Sequence, residues 1–248
     1  MNMKTKKSFA GAAVGVIAAL ILLAGCQTRS ISNSGYSNGG YYYGGHAGHP
    51  FYRGELSEFD LLGVEGGSAI TDEQIGRALD ASGRVTLRKG SSVLLIQSGA
   101  MQPDKPMSDA LEKHFVVVPF SGQPGATNAA GYARALRFAA AQAGCETIIC
   151  YWGALESASK GNEAKTISWV PVAGWLLPDE AQQMRLRLKV ALVDVRSGRW
   201  AMCSSQSFDD KAHSARFNRE ASDQKQVEKL KQLAYASAAE DVVKIYAR

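Results

Sequence analysis

The sequence is poor in the residue patterns that mark common metal and cofactor sites. Four cysteines and four histidines are spread over 248 residues. They form neither a His-Glu-x-x-His pair nor a Cys-x-x-Cys pair, and a Walker loop is absent as well. These absences exclude the usual zinc protease, zinc ribbon and P-loop nucleotide signatures. We therefore expect no metal and no cofactor, and a non-enzymatic protein is favoured.

A hydrophobic run long enough to span a bilayer is also missing. Three lysines precede an apolar segment from Phe9 to Leu23 that is too short for a transmembrane helix. A charged start followed by a short apolar core is typical of a secretory signal peptide, here residues 1–25. Its removal leaves 25 basic and 23 acidic residues, a net charge of about +2, with no dense basic stripe. Nucleic acid is therefore excluded as a partner.

The end of the apolar segment resembles a known processing site. Leu23-Ala24-Gly25-Cys26 is similar to the lipobox of bacterial lipoproteins. This resemblance implies cleavage before Cys26 and attachment of diacylglycerol and palmitate to that residue. An Asp after the cysteine is typical of inner-membrane retention, whereas this chain has Gln27. The resemblance therefore implies a lipid anchor in the outer membrane, on its periplasmic face, where acyl chains alone suffice for attachment.

Residues 26–55 lack the periodicity of a helix or a strand. After the cysteine, the segment is rich in Ser, Asn, Gly and Tyr, a composition typical of a flexible tether. Hydrophobic periodicity begins near Leu56, and the remaining length suits one domain. We therefore predict a signal peptide over 1–25, a tether over 26–55 and a single periplasmic domain over 56–248.

Helical and strand periodicities alternate through the predicted domain. They predict helices over 72–81, 107–113, 128–143 and 222–246. They predict strands over 85–87, 92–97, 115–120, 148–155, 165–172, 184–195 and 199–208. The stripe predicted to be buried in the last helix consists of Val227, Leu230, Leu233, Ala234, Ala238, Val242 and Ile245. This order predicts an α+β fold with a mixed sheet of about five strands and helices packed on it.

Parts of this pattern resemble a known group of envelope domains. The matching segments are Val116-Val117-Val118-Pro119-Phe120, Ile148-Ile149-Cys150-Tyr151-Trp152-Gly153 and Leu192-Val193-Asp194-Val195-Arg196-Ser197-Gly198-Arg199. Over residues 91–248 the order of elements is similar to the domain shared by the N-terminal part of TolB, CsgG and LpoB. Those relatives are binding and assembly proteins, so the resemblance implies a fold and transfers no catalytic residues.

One predicted connection between strands is unusually apolar. Residues 169–180 include the large side chains Trp169, Trp175, Leu176 and Leu177. Either this loop packs back onto the core, or it presents an apolar patch to a partner or to the bilayer surface. In the second case these four side chains are the candidate contacts for another envelope protein.

Three cations alternate with apolar residues along one predicted strand. Arg185, Arg187 and Lys189 share one face, and their neighbours in the sequence share the other. A solvated face is the favoured interpretation. The alternative is a surface for an anionic partner such as lipid head groups or peptidoglycan.

Three cysteines remain if Cys26 is lipidated, and an oxidising compartment permits one disulfide among them. Cys150 and Cys203 both fall in predicted strands, which makes them the candidate pair. Buried free thiols are the alternative.

Two residues near a strand end keep an enzymatic alternative open. Ser98 and Asp104 follow the first predicted core strand, and strand ends host chemistry in open sheets. Asp209, Asp210 and His213 could bind a metal, although an ordinary acidic loop is the favoured interpretation.

Taken together, the patterns favour an outer-membrane lipoprotein that binds another envelope protein without an enzymatic step. One alternative is an envelope hydrolase of the peptidase type. Another is a self-assembling ring or secretion component, which the resemblance to CsgG allows. The predicted partners are the membrane, through the lipid anchor, and either another envelope protein or a second copy of the chain.

Overall fold

The computed structural model describes residues 26–34, 52–64, 70–81, 83–125, 129–161, 180–214 and 219–248. In this part of the chain, seven strands form one mixed sheet accompanied by five α-helices. The strands are β1 (Cys26–Ser30), β2 (Ser92–Gln97), β3 (Val116–Phe120), β4 (Thr147–Gly161), β5 (Glu180–Asp194), β6 (Trp200–Ser204) and β7 (Phe208–Ser214). The helices are α1 (Glu58–Leu62), α2 (Asp72–Asp80), α3 (Lys105–Glu112), α4 (Ala129–Gln142) and α5 (Arg219–Tyr246). The predicted α+β class is confirmed.

A long antiparallel hairpin of β4 and β5 forms the centre of the sheet. Beside β4, parallel β2 pairs with residues 147–151 and antiparallel β1 pairs with residues 154–158. Beside β5, β6 pairs with residues 189–193 and β7 pairs with residues 180–186. We call the end of the hairpin at Gly161 and Glu180 the hairpin end, and the opposite end, at Thr147 and Asp194, the turn end.

Alternation along the strands divides the apolar side chains between two cores. The α5 face of the sheet packs against α3 and α5 and includes the buried residues Val93, Leu95, Ile149, Tyr151, Met184, Leu186, Leu188, Val190 and Leu192. The α4 face packs against α1 and α4 and includes Leu94, Ile96, Ile148, Cys150, Ala191 and Val193. The sheet is therefore covered on both sides, as the continuous apolar sequence of β2 predicts.

The start of the predicted tether pairs with the sheet, whereas its residues 35–51 lie outside the described residues. Cys26–Ser30 pairs with β4, and the following residue, Ile31, is only 3% exposed. Ile31 packs against Gly153, where an added Cβ would lie 2.6 Å from the isoleucine Cδ1. The composition of residues 26–34 is polar and has no local period, so their order comes from pairing with a distant strand and from one buried side chain.

The predicted helices are present, each end within three residues of its prediction. A capping box precedes α2, because Thr71 Oγ1 accepts from Gln74 N–H and Gln74 Oε1 accepts from Thr71 N–H. The stripe predicted for α5 is wrong at two positions, since Leu233 is 46% and Ile245 57% exposed. Leu233 lies on the opposite side of the helix, and Ile245 lies near its end.

The predicted strands match in part. The 92–97 strand is observed with the same bounds, and the 148–155 strand extends to Gly161. Residues 205–207 interrupt the strand predicted over 199–208, so that β6 and β7 pair with β5 one after the other. At 85–87 only an isolated bridge between Leu87 and Ala247 forms. The strand predicted over 165–172 lies outside the described residues.

The edge strand β3 contains a proline whose position protects the ladder. Val116 N–H donates to Ser91 O, so Val116 faces β2. In a parallel ladder alternate residues bond to the same neighbour, and Pro119 therefore has its nitrogen on the outer side of β3. It costs no hydrogen bond there, and it removes one donor from the free edge of the sheet.

Candidate functional site

The carboxyl end of β2 faces a buried cluster of polar side chains. Lys231 on α5 is 2% exposed, and its Nζ lies 2.7 Å from Asp104 Oδ2. Tyr235, one turn further along α5, donates to the same oxygen at 2.6 Å. Asp104 precedes α3, so this cluster fastens α5 to the start of α3.

Two residues on the sheet complete the buried cluster. Tyr151 OH donates to Gln97 Oε1 at 2.6 Å, and the backbone N–H of Asp104 donates to the same oxygen at 2.7 Å. The rings of Tyr151 and Tyr235 meet edge to face at 5.6 Å. Gln97 Nε2 donates to Ser32 Oγ at 3.0 Å, which ties the turn after β1 to the cluster.

The buried cluster is satisfied internally and does not form a catalytic arrangement. Burial, with a smaller contribution from the charge of Asp104, raises the pKa values of Tyr151 and Tyr235 well above the usual range of tyrosine. Both hydroxyls therefore remain protonated and can donate hydrogen bonds. Ser98 Oγ accepts from Leu56 N–H, whereas the Asp104 carboxylate is bound by α5. The two strand-end residues considered for a hydrolase site therefore have structural partners.

An open groove lies on the α4 face at the turn end, and we call it the arginine groove. Its volume is about 780 Å³. It lies between the second half of α4 and the β5–β6 turn. The residues that line it are Arg134, Arg137, Phe138, Ala141, Gly144, Cys145, Glu146, Asp194, Val195 and Arg196.

Hydrogen bonds fix the two walls of the arginine groove to each other. The guanidinium of Arg137 donates to the carbonyl oxygens of Val195 and Arg196, each at 2.9 Å. The turn itself is held by Asp194, whose Oδ1 accepts from Ser197 N–H at 2.6 Å. Gly198 takes a φ of 73°, which a glycine in a short hairpin turn readily adopts. Bonds within the chain thus hold the two walls of the groove together.

The two remaining arginines of the groove are exposed. Among the residues that the structure describes, neither Arg134 nor Arg196 forms an ion pair. The acidic residues of the groove already have partners, because Glu146 pairs with Arg88 at 2.9 Å and Asp194 bonds to Ser197. Phe138, one residue after Arg137, is 64% exposed. The groove therefore offers free positive charge beside an apolar ring.

The cations predicted on β5 differ from the arginines of the groove because each of them forms an ion pair. Arg185 forms an ion pair with Asp209 at 2.6 Å. Arg187 pairs with Glu156, and Lys189 pairs with Glu58. All three lie on the α4 face of β5, and each has a carboxylate partner. Their arrangement is that of a solvated, ion-paired face.

The candidate disulfide does not form in the structure, where Cys150 and Cys203 are free thiols. Cys150 belongs to the core of the α4 face, whereas Cys203 packs on the α5 face. Their strands, β4 and β6, are separated by β5, which places their Cα atoms roughly 9–10 Å apart. A disulfide needs a separation below about 7 Å.

Several predicted residues lie where the structure gives little or no description. Trp169, Trp175, Leu176 and Leu177 lie outside the described residues. The backbone of Cys26 is described, opposite Ala158 of β4. In the described ranges no group of three His, Cys, Asp or Glu residues could hold a metal ion. Asp209 pairs with Arg185, and Asp210 pairs with Lys229 at 2.7 Å.

Comparison with protein families identifies the chain. Residues 57–245 match the YafT bacterial lipoprotein family. The chain belongs to this family. It is therefore a bacterial lipoprotein, anchored to a membrane of the cell envelope. Across the described residues, no helix combines the length and the apolar character needed to cross a bilayer.

Two solved structures show a distant likeness to this lipoprotein. A neuraminyllactose-binding hemagglutinin homolog from Helicobacter pylori is 13% identical, with 66% of this chain and 89% of that chain covered and a TM-score of 0.31. The hypothetical protein CT253 from Chlamydia trachomatis is 14% identical, with 63% and 94% covered and a TM-score of 0.26. These scores are too low to support an argument. Comparison with curated proteins found no match.

Neither the buried cluster nor the arginine groove of this lipoprotein was predicted from its sequence. A signal for the first was present, because Lys231 lies four residues from both Val227 and Tyr235, in the middle of the apolar stripe of α5. The groove left a weaker signal. The helical spacing places Arg134 and Arg137 away from the buried residues of α4, but nothing in the sequence shows that Arg196 lies across from them.

Proposed function

We propose that this lipoprotein is attached to the outer membrane through Cys26 and binds another envelope protein at the end of its domain that points away from the bilayer. The main support is that β1, which starts at Cys26, belongs to the central sheet. A lipid on Cys26 is therefore joined to the folded domain directly, without an intervening flexible segment. Such an anchor sets the orientation of the domain as well as its location.

The distance between the two ends of the sheet supports this orientation. Cys26 lies opposite Ala158, near the hairpin end, whereas the arginine groove adjoins Thr147 at the turn end. Eleven residues of β4 separate these two positions, which corresponds to roughly 35 Å of strand. The groove is thus presented on the side of the domain remote from the attached membrane.

A binding role is favoured over an enzymatic one by the character of the two polar sites. The buried cluster is closed, and each of its buried polar atoms has a hydrogen-bond partner, whereas the arginine groove is open and Arg134 and Arg196 form no ion pair within the described ranges. The order of the elements also resembles that of the domain shared by TolB, CsgG and LpoB. Those relatives are binding and assembly proteins, so the resemblance favours a binding role. The contact role of Trp169, Trp175, Leu176 and Leu177 stays a prediction.

Photo-crosslinking in intact cells tests the proposal. A crosslinking amino acid replaces Phe138 at the turn end, Lys211 on β7 at the hairpin end, or Gln232, an exposed residue midway along α5, as a control position. We expect a distinct envelope protein to be captured from position 138, lipid to be captured from position 211, and neither of these to be captured from the control position. Replacing Cys26 with Ser should abolish palmitate labelling and release the protein from the membrane.

Three results would contradict the proposal. Capture of lipid from position 138 would reverse the proposed orientation. Capture of the same chain alone would favour self-assembly. Retention of palmitate by the Cys26→Ser variant would place the anchor elsewhere.

A further inference from the structure

We infer that the arginine groove binds an acidic peptide segment of the partner protein, with carboxylates on Arg134 and Arg196 and an apolar side chain against Phe138. This inference rests on the proposed binding function and names the chemistry of the partner.

The exposed face of α4 provides one wall of this site. Arg134, Arg137, Phe138 and Ala141 are spaced three, four and seven residues from the first, so they share one side of the helix. The helix buries Ala133, Leu136 and Ala140 against the sheet instead. Sequence spacing thus turns two guanidinium groups and a phenyl ring toward the same open space.

The three arginines have different tasks in the groove. Arg137 is held by two carbonyl oxygens of the opposite wall, so it fixes the width of the groove. Arg134 and Arg196 have no such bonds in the described part of the chain and remain available. A guanidinium binds a carboxylate through two parallel hydrogen bonds, which suits a pair of free arginines to a peptide with two acidic residues.

The charges of the groove favour carboxylates over a phosphate dianion. Its lining includes three arginines and the acidic residues Glu146 and Asp194. A carboxylate carries a single negative charge, so Glu146 and Asp194 repel it less than they repel a phosphate dianion when it approaches Arg134 or Arg196. The exposed ring of Phe138 adds an apolar contact that a bare phosphate cannot use.

The lipid head groups of the anchoring membrane are unsuitable as the ligand. Roughly 35 Å of β4 separates the groove from the position opposite Cys26. The Debye length at physiological ionic strength is about 8 Å, so the charge of that membrane is screened before it reaches the groove. A protein segment, which can extend to the turn end, does not have this limit.

The test measures peptide binding to the full-length lipoprotein in nanodiscs of zwitterionic lipid. The probe is a fluorescein-labelled octapeptide of alternating Glu and Leu, and its twin has Gln in place of every Glu. Fluorescence anisotropy reports the Kd. We expect Arg134→Gln and Arg196→Gln each to weaken binding of the acidic probe about tenfold, as expected for loss of one charged contact. The matched variant Lys225→Gln, which removes one positive charge from α5, should stay within about twofold of the wild type.

Each contrary result overturns the inference in a recognisable way. Equal binding of the Gln twin would show that carboxylates are not recognised. Displacement of the probe by inorganic phosphate or by phosphatidylglycerol vesicles would assign the groove to a different anion. If Lys225→Gln weakened binding of the acidic probe as much as the arginine variants do, the affinity would depend on the net charge of the protein and not on the groove. Thermal melting confirms folding of each variant, and Arg134→Lys should retain part of the affinity if charge acts at this position.

The two experiments can reject the peptide-binding inference and the proposed binding function independently of each other. If position 138 captures a partner in cells and the Arg134→Gln and Arg196→Gln variants retain that capture, the partner binds without the arginines. The inference is then wrong, while the proposed function stands. Absence of any captured protein at position 138 rejects the proposed function, whatever the peptide result.

Discussion

The two faces of the sheet differ in the exposure of their charged side chains. On the α5 face, the ammonium group of Lys231 is enclosed and held by Asp104. On the α4 face, Arg134 and Arg196 line an open groove, and the cations of β5 pair with carboxylates at the surface. A charge removed from water requires a partner, whereas an exposed charge does not. The buried ion pair of the α5 face therefore stabilises the fold, whereas on the α4 face Arg134 and Arg196, which form no ion pair in the described part of the chain, are available for binding.

The largest effect is expected where the α5 face loses its buried partner. Replacing Asp104 with Ala leaves the Lys231 ammonium enclosed without a counter-charge, and the Tyr235 hydroxyl without its acceptor. We expect the free energy of unfolding to fall by about 3–5 kcal/mol. Urea denaturation of the Asp104→Ala variant measures this loss.

A matched control lies five residues further along the chain, on α3. Asp109 pairs with Lys105 at the protein surface, at 2.5 Å. Because both side chains are largely exposed, Asp109→Ala should leave the urea midpoint nearly unchanged. Equal losses in the two variants would mean that burial does not distinguish these ion pairs.

The next effect compares one thiol from each face. Burial, with a smaller contribution from Asp241, raises the pKa of Cys203 to about 11. Burial also raises the pKa of Cys150, which lies wholly inside the core of the α4 face. Since only the thiolate reacts, Cys203 should be alkylated by iodoacetamide at pH 8 about 100-fold more slowly than an ordinary cysteine of pKa 9.0. Cys150 should react more slowly still.

The same experiment tests the free state of the cysteines. In denaturant without reductant, we expect three reactive thiols, at Cys145, Cys150 and Cys203. Only one would be found if a disulfide joined two of them. Mass spectrometry of the alkylated peptides gives the count and the positions.

Sequence predicted the fold best where hydrophobic periodicity is long. Along β5, five apolar residues from Met184 to Leu192 alternate with three cations and then Ala191, and all five are buried. The first strand escaped prediction because Cys26 pairs with Ala158, more than 100 residues away, and such pairing leaves no local period. In α2 the opposite occurs, because a helical apolar stripe is present in the sequence but is not buried in the structure. Ile75 and Leu79 have helical spacing, yet they are 49% and 68% exposed.

The charged sites were less predictable than the fold because their partners come from separate elements. The alternation of Arg185, Arg187 and Lys189 was visible, but their carboxylates come from α1, β4 and β7. The arginine groove likewise joins α4 to a turn about 60 residues later. Only the tertiary structure decides which cation is neutralised and which remains free.

A moderate effect is expected from the arginine that joins the walls of the groove. Arg137→Ala removes two hydrogen bonds to the β5–β6 turn, and we expect a loss of about 1–2 kcal/mol in unfolding free energy. Arg134→Ala, which removes no such bond, should leave the urea midpoint unchanged. If both variants are equally stable, Arg137 does not fix the groove, and all three arginines would be equally available to a ligand.

The smallest effect concerns a surface ion pair on the α4 face. The hydrogen bond from Arg185 lowers the pKa of Asp209 below its ordinary value of 3.8. A carboxyl with a lowered pKa stabilises the fold above that ordinary value, and this contribution is lost as the pH falls through the folded pKa. In Arg185→Gln, the Asp209 pKa should therefore rise toward 3.8, as measured by an NMR titration of the carboxyl carbon between about pH 2 and 6. An unchanged Asp209 pKa in this variant would show that solvent screening already cancels the pair, which would leave Arg185 as available to an anionic partner as Arg134 and Arg196.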